Sequence, residues 1–257
     1  MFDTRFHDSN DTIVFKVMRN LFVFGCSFTQ PYFDNLNGDL SEGGYTRYRK
    51  WKGGTFPKTW SELLADKLGF NLINYGRGGA CNYHTIREYN NHCHEIQEND
   101  LVIVQWTHVE RYWICENHTQ LVSVAGNWQY DTFKPIGLRP STIEEIYVNR
   151  IYKPWAEEIY AFQNNIDHIA KLGKHKTYYW SACNMIINSE SQEFKKDPKY
   201  LLSECDENAL YYYARRYKNL TITQETNNEV GDEHYGEYGH KFLCDKIYDE
   251  LKDKGEI

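Results

Sequence analysis

Two short runs of uninterrupted apolar residues, Leu21-Phe22-Val23-Phe24 and Leu101-Val102-Ile103-Val104, most constrain how this chain can fold. A strand with one face in water alternates apolar with polar residues. One that is apolar at every position is buried on both faces, as in a parallel sheet covered by helices. Neither run nears the roughly 18–20 residues that span a bilayer, so no membrane partner is expected.

The segments around these runs supply the crossovers. Residues 29–56 are rich in Gly, Asn and Asp and read as loop. Pro57 then opens a helix with Trp60, Leu63, Leu64 and Leu68 on one face and Gly69 as its stop. Asn71 to Asn74 reads as a second strand, followed by glycines at 76, 78 and 79 and a polar helix from about Cys81 to Glu98. Leu101 to Trp106 is the third strand. Strand, helix, strand, helix, strand argues for a parallel sheet with right-handed crossovers, and so for a three-layer α/β/α sandwich around a mostly parallel sheet.

Residues 107–140 break this rhythm and read as an aromatic-rich insertion, with a hairpin expected around Ala125-Gly126-Asn127. Thr142 to Leu172 has helical spacing, with a kink or junction at Pro154. Lys176 to Ser181 is a fourth strand, and 184–220 is loop with a short helix near 198–215. Leu220 to Thr223 is a weak fifth strand and Glu237 to Leu251 a closing amphipathic helix. Residues 1–19 form an irregular lead-in or an extra edge element. No repeat, low-complexity tract or linker interrupts the chain, so residues 1–257 read as one domain.

Composition excludes several classes. Disordered chains are poor in aromatics, and this one carries 21 Tyr, 13 Phe and 7 Trp. The net charge of −7 leaves no basic footprint for nucleic acid. The one local exception, Arg47-Tyr48-Arg49-Lys50-Trp51-Lys52, reads as a solvated loop. The seven cysteines include no C-x-x-C pair and read as reduced thiols. With no signal-like segment at residues 1–8, the expectation is a cytoplasmic protein. A virion protein assembled inside a cell would look the same.

Ligands of open parallel sheets bind outside the carboxyl ends of the strands. The first strand delivers Gly25-Cys26-Ser27-Phe28-Thr29 there, the second Asn74-Tyr75-Gly76-Arg77-Gly78-Gly79, and the third Gln105-Trp106-Thr107-His108. Gly231-Asp232-Glu233-His234-Tyr235 precedes the last helix. A serine after a strand–Gly turn, glycine amides on the next loop and a C-terminal Asp/His pair are the parts of a hydrolytic triad.

In these residues the chain resembles the SGNH (GDSL-like) hydrolase superfamily. Phe24-Gly25-Cys26-Ser27-Phe28-Thr29 is similar to its first block, with Cys in place of the usual Asp before serine. Asn74-x-Gly76-x-x-Gly79 is similar to its second block, whose last glycine lends an N–H to the oxyanion hole. Asp232-x-His234, followed by Gly239-His240-Lys241, is similar to its fifth block and the start of its final helix. The resemblance spans about residues 20–106 and 220–252 and leaves the middle uncovered. It implies acyl transfer with no cofactor: Ser27 as nucleophile, His234 as base, Asp232 orienting the imidazole, and the N–H groups of Ser27 and Gly79 holding the oxyanion. Because Asp232 and His234 sit so close in sequence, both must come from one irregular loop.

The third block departs from the family pattern, which has Gly-x-Asn-Asp with the asparagine amide as a further oxyanion donor. Here the strand runs Val104-Gln105-Trp106-Thr107-His108-Val109-Glu110-Arg111. Thr107, His108 and the nearby Asn82 are the candidate replacements. Losing one preorganised donor costs on the order of 10²–10³ in rate.

Other residues have plainer readings. Cys26 reads as a buried strand-end thiol and His240 as a packing or capping histidine at a helix start. His84, His92, Cys93 and His94 lie close together, but on a helix His92 and His94 point about 200° apart and share no metal. Trp51, Trp106, Trp113, Trp128 and Trp155 are the clue to substrate, since amphipathic rings at a site mouth stack on sugars or acyl chains. They equally suit packing of the insertion.

The leading expectation is therefore an esterase or deacetylase acting on a small acylated substrate such as an O-acetyl carbohydrate. A non-catalytic binding or assembly module, for instance a virion or surface component, is the rival from another class. An O-acyltransferase differs only in the hydroxyl that resolves the acyl-enzyme. Oligomeric state is not encoded in these patterns.

Overall fold

The structure, a computed structural model, describes residues 5–7, 13–15, 18–34, 42–107, 112–116, 120–124, 155–181, 198–202 and 219–257. In chain order the strands are β1 (Arg5–His7), β2 (Ile13–Phe15), β3 (Asn20–Phe24), β4 (Asn71–Asn74), β5 (Leu101–Trp106), β6 (Tyr112–Glu116), β7 (Gln120–Val124) and β8 (Lys176–Ser181). The helices are α1 (Gly44–Trp51), α2 (Trp60–Leu68), α3 (Asn82–His92), α4 (Trp155–Gly173), α5 (Ile222–Glu225) and α6 (Glu237–Asp253).

The central sheet runs β4-β3-β5-β8 and every pairing is parallel. The two apolar runs lie side by side, with Leu21 opposite Leu101 and Phe24 opposite Val104. Period-2 alternation splits them between two cores. Leu21, Val23, Leu101 and Ile103 pack with Trp180 against Trp60 and Leu64 of α2 and Leu243, Ile247 and Leu251 of α6. Phe22, Phe24, Val102, Val104 and Trp106 pack against Ile86 and Tyr89 of α3 and Ile159 and Ile166 of α4. A strand buried on both faces between two helical layers is the expected α/β/α sandwich.

The strand order has its reversal between β3 and β5, because the chain leaves β3 toward β4 and returns on the other side as β5. Such a switch point opens a crevice at the carboxyl ends of the two strands. Gly25 to Thr29 and Gln105 to Thr107 stand there.

Several elements differ from the sequence expectation. Residues 44–51, read as part of a long loop, form α1, with Tyr45, Thr46 and Tyr48 buried. The run Arg47–Lys52 is therefore the end of a docked helix rather than a solvated loop. The helix expected at Pro57 starts at Trp60, where the Glu62 carboxylate accepts the N–H of Thr59 at 2.7 Å in a Thr-x-x-Glu capping pattern. The polar helix ends at His92 and tightens into a 3₁₀ turn over Cys93–Glu95.

The expected fifth strand is not one. Thr221 makes a single antiparallel bridge to Tyr235, and the chain turns directly into α5. The lead-in contains the antiparallel pair β1–β2. β6 and β7 pair antiparallel around residues 117–119, while the turn expected at 125–127 lies outside the described residues, as does most of the helix expected near 198–215. Tyr200 is described, and it bridges Tyr179 of β8. No helix among the described residues is long and apolar enough to cross a membrane.

Candidate active site

The turn after β3 is held from below by one side chain. Gln105, in the otherwise apolar strand β5, is fully buried. Its Oε1 accepts from the Cys26 N–H and the Thr29 hydroxyl, both at 3.0 Å. Its Nε2 donates to the Cys26 thiol sulfur at 3.3 Å and to the Trp106 carbonyl at 2.7 Å. All four valences of a buried amide are thus used, which is the condition for placing one in a core. Gly25 is glycine for the same reason: a Cβ there would lie 2.5 Å from Gln105 Oε1. From the α2 side the Trp60 indole donates to the Phe28 carbonyl at 3.0 Å.

The second loop packs directly on this turn. Arg77 N–H donates to the Gly25 carbonyl at 3.0 Å and Asn74 Nδ2 to the Thr29 carbonyl at 2.8 Å. A Cβ on Gly76 would lie 2.7 Å from the Gln30 nitrogen, so the two backbones touch. Gly79 follows at φ 73°, exposed, with open space above its Cα. Neither the Ser27 nor the Gly79 amide donates a hydrogen bond among the described residues.

Asp232 and His234 come from an irregular loop between α5 and α6. One carboxylate oxygen, Asp232 Oδ1, accepts both the His234 backbone N–H at 2.9 Å and its ring Nδ1 at 2.6 Å. This double contact closes the short spacing and favours the tautomer with the proton on Nδ1, which leaves Nε2 unprotonated and able to accept a proton. The loop is anchored through Thr223, whose N–H and hydroxyl donate to the Asp232 carbonyl at 2.9 and 2.8 Å. Burial pushes the Asp232 carboxyl up, but the His234 ring, the His234 amide and the Arg47 guanidinium push it down further. The net position lies below its ordinary value.

The His234 ring sits between two aromatic rings that both belong to the Ser27 neighbourhood. Its centroid is 5.2 Å from that of Phe28, the residue after Ser27, and 5.3 Å from that of Tyr45 on α1. The Tyr45 hydroxyl donates to the Ser27 carbonyl at 3.3 Å. Burial, reinforced by the Asp232 charge, pushes that hydroxyl well above the usual tyrosine range, so it stays a neutral donor. No hydrogen bond joins Ser27 Oγ to His234 here. In an unliganded hydrolase this contact is often long and tightens with substrate bound.

The third-block candidates fall out differently. Asn82, the first residue of α3, accepts the Thr107 N–H through Oδ1 at 2.8 Å and donates Nδ2 to the Thr107 carbonyl at 3.2 Å. It clamps the end of β5 to the start of α3. Thr107 is buried, and its hydroxyl has no hydrogen-bond partner among the described residues. His108 lies outside the described residues.

Other residues singled out in the sequence also find places. His240 is buried and accepts the Trp60 N–H on Nδ1 at 3.1 Å, capping α2 from α6. Cys26 and Cys81 are buried and form no disulfide among the described residues. His92 stacks on Tyr75 and meets Glu95 at 2.7 Å, while His94 is exposed on the 3₁₀ turn. Among the described residues no group of three His, Cys, Asp or Glu side chains is placed to hold a metal.

Of the tryptophans offered as a substrate clue, Trp106 is fully buried and stacked on Tyr179, away from any mouth. Trp51 stands half exposed at the end of α1, and the side chains of 113, 128 and 155 lie outside the description. Sequence reasoning missed Gln105, Gly44, Tyr45 and Arg47. The first had a signal, a lone amide inside an apolar strand.

No family model matches the chain, and no curated relative does. Solved structures do. The YxiM protein of Bacillus subtilis matches with TM-score 0.43 and 15% identity over 93% of this chain, which spans 57% of that protein's length. A lipolytic G-D-S-L family member from Veillonella parvula matches with TM-score 0.37 and 14% identity, covering 90% of this chain and 97% of that one. A lipase from goat rumen metagenome matches with TM-score 0.40 and 12% identity, covering 91% and 97%. The chain is thus similar, at low identity, to lipolytic proteins of the G-D-S-L type, with a parallel four-stranded sheet between helices.

Proposed function

We propose that this chain is a serine hydrolase of the SGNH type that cleaves a small O-acyl ester. The observation that carries the reading is the Asp232 Oδ1 to His234 Nδ1 contact of 2.6 Å, with the His234 ring held against the Ser27 turn by Phe28 and Tyr45. In the reaction Ser27 Oγ attacks the ester carbonyl carbon and its proton passes to His234 Nε2. Asp232, ionised beside the imidazolium, stabilises it. The Ser27 and Gly79 amides receive the oxyanion. Collapse expels the alcohol, which takes the proton from Nε2. Water then gives a proton to Nε2 as it attacks the acyl carbon; collapse breaks the bond to Ser27 Oγ, which takes that proton back from Nε2 as the acid leaves.

The leaving alcohol departs on the His234 side, and that side is aromatic. Tyr45 lies edge-on to His234, and Phe33, 43% exposed, lies edge-on to Tyr45 at 5.6 Å. A half-exposed ring there suits stacking on a sugar, which supports an O-acetyl carbohydrate as substrate.

p-Nitrophenyl acetate turnover by wild type, Ser27→Ala and His234→Ala tests this, with circular dichroism to confirm folding. Loss of turnover in both folded variants is expected. Turnover undiminished in Ser27→Ala refutes the assignment. The third block without its asparagine, with the Asn82 amide spent on Thr107, favours a second reading, a binding module that keeps the pocket without catalysis. A fluorophosphonate that fails to label Ser27 would decide for it.

A further inference from the structure

The geometry points to Gly44 as a positioning residue of the same site: its bare Cα is the seat on which the Asp232 carboxylate rests. This rests on the hydrolase reading above and adds a residue outside every motif that suggested it. A Cβ on Gly44 would lie 2.0 Å from Asp232 Oδ2, 2.7 Å from its Cγ and 2.9 Å from its Cβ. No real Cβ keeps such contacts, so the carboxylate occupies the volume any other side chain would need.

Backbone conformation does not require this glycine. Gly44 opens α1 after an extended Gly43 at φ −68° and ψ 167°, and its own φ lies outside the left-handed region. Helix openings accept alanine, which is the better helix former. The requirement is therefore for space alone, and the space is filled by a catalytic group distant in sequence. Oδ1 faces His234 and Oδ2 faces Gly44, so the carboxylate is gripped on both sides.

Neighbours on α1 hold the two parts in register. Arg47 NH2 donates to the Gly231 carbonyl at 3.4 Å, and its charge stabilises ionised Asp232. Tyr45 reaches the Ser27 carbonyl. In the Gly44→Ala variant Oδ2 and Cγ can swing away by rotation of the Asp232 side chain, whereas its Cβ, 2.9 Å from the new methyl, clears only by a small shift of the two backbones. Rotation breaks both bonds on Oδ1, to the His234 N–H and to Nδ1.

The test is a double-mutant cycle on p-nitrophenyl acetate turnover with wild type, Gly44→Ala, Asp232→Ala and the pair. Misplacing a catalytic group by about 1 Å costs on the order of 10², and losing its tautomer-fixing bond on the order of 10⁴. Gly44→Ala is expected to lower kcat by roughly 10²–10⁴-fold with KM little changed and the fold kept by circular dichroism. In the Asp232→Ala background, Gly44→Ala is expected to cost nothing further. Full activity in Gly44→Ala, or an equal fold-loss in both backgrounds, overturns the proposal. An Asp232→Ala variant that turns over normally sinks the hydrolase reading instead. A readout independent of turnover is the downfield ring N–H proton of His234 in NMR. It is expected in wild type and absent or shifted in Gly44→Ala; an unmoved resonance also overturns the seat.

Discussion

His240 offers the most quantitative prediction. It is 4% exposed, with its Nδ1 accepting the Trp60 N–H and its ring edge-on to Tyr32 and Tyr235. Burial, and then the positive charge of His234, pushes it down from 6.5 to about 3. The unfolded chain binds this proton from about pH 6.5 downward. The folded chain refuses it until about pH 3. The native state therefore holds fewer protons across this window, and stability, fully present above pH 6.5, falls as pH falls. At pH 5 the loss from this one group is RT ln(1 + 10^1.5), about 2 kcal/mol. For a chain of this size that is a fall in Tm of about 4–8 °C. The assay is urea unfolding at pH 7.5 and pH 5 for wild type and His240→Gln, whose amide oxygen can still accept the Trp60 N–H without titrating. Asp232 contributes the same term to both proteins, in a lower window because its carboxyl is depressed, and cancels in the difference. Wild type is expected to lose about 2 kcal/mol more than the variant between the two pH values. Equal losses would refute the neutral, buried cap.

Two further substitutions probe the supports of the site. Gln105→Leu leaves the Cys26 N–H and Thr29 hydroxyl without their acceptor. It should cost about 2–4 kcal/mol in chemical denaturation and lower kcat, whereas a stability within about 0.5 kcal/mol of wild type would show the amide to be dispensable. Tyr48→Phe removes the hydroxyl that donates to Glu225 Oε2 at 2.9 Å and accepts the Glu237 N–H at 2.8 Å. A loss of about 1–3 kcal/mol is expected, and none would mean that Glu225 is satisfied by Lys52 alone.

The parts legible in the sequence were those governed by one strong local signal. β3, β5 and β8 announce themselves by apolar or aromatic runs, and period 2 assigns their residues to two faces. The same rule places Trp106 with Val102 and Val104 on the α3/α4 face, so its burial was readable where the sequence reading left it open between mouth and packing. α1 was hidden because its buried face is made of Tyr45, Thr46 and Tyr48, residues that count as polar or loop-like, behind two glycines. Its apolar surface exists only once the loop carrying Glu225 and Asp232 lies against it. At 221–225 two local signals conflicted. Thr-Ile-Thr favours strand, but Thr221 and Gln224 form a reciprocal cap, with Gln224 Oε1 accepting the Thr221 N–H at 3.2 Å and the Thr221 hydroxyl accepting the Gln224 N–H at 3.3 Å. Two satisfied backbone donors outweighed β-propensity, which is a weak preference without a neighbouring strand.

The motif residues and the residues that align them belong to different parts of the chain. Ser27 is fixed by the sheet through Gln105, and His234 by its own loop through Asp232 and Thr223. Neither of these systems by itself sets the distance between serine and histidine. α1 joins the direct Phe28–His234 ring contact in doing so, because it touches both: Tyr45 on the Ser27 carbonyl and the His234 ring, Gly44 on the Asp232 carboxylate, Arg47 on the Gly231 carbonyl. Its far end is tied to the same C-terminal region by Lys52, which meets Glu225 at 2.9 Å and also pairs with Glu237. The Glu225 side chain is 4% exposed there, so the pair resists the screening that weakens surface contacts. A chain that kept every motif residue but lost this helix would keep the proposed nucleophile and base with the Phe28–His234 ring contact left to hold them in register. Activity in this protein should therefore track substitutions on α1 that leave Ser27, Asp232 and His234 untouched.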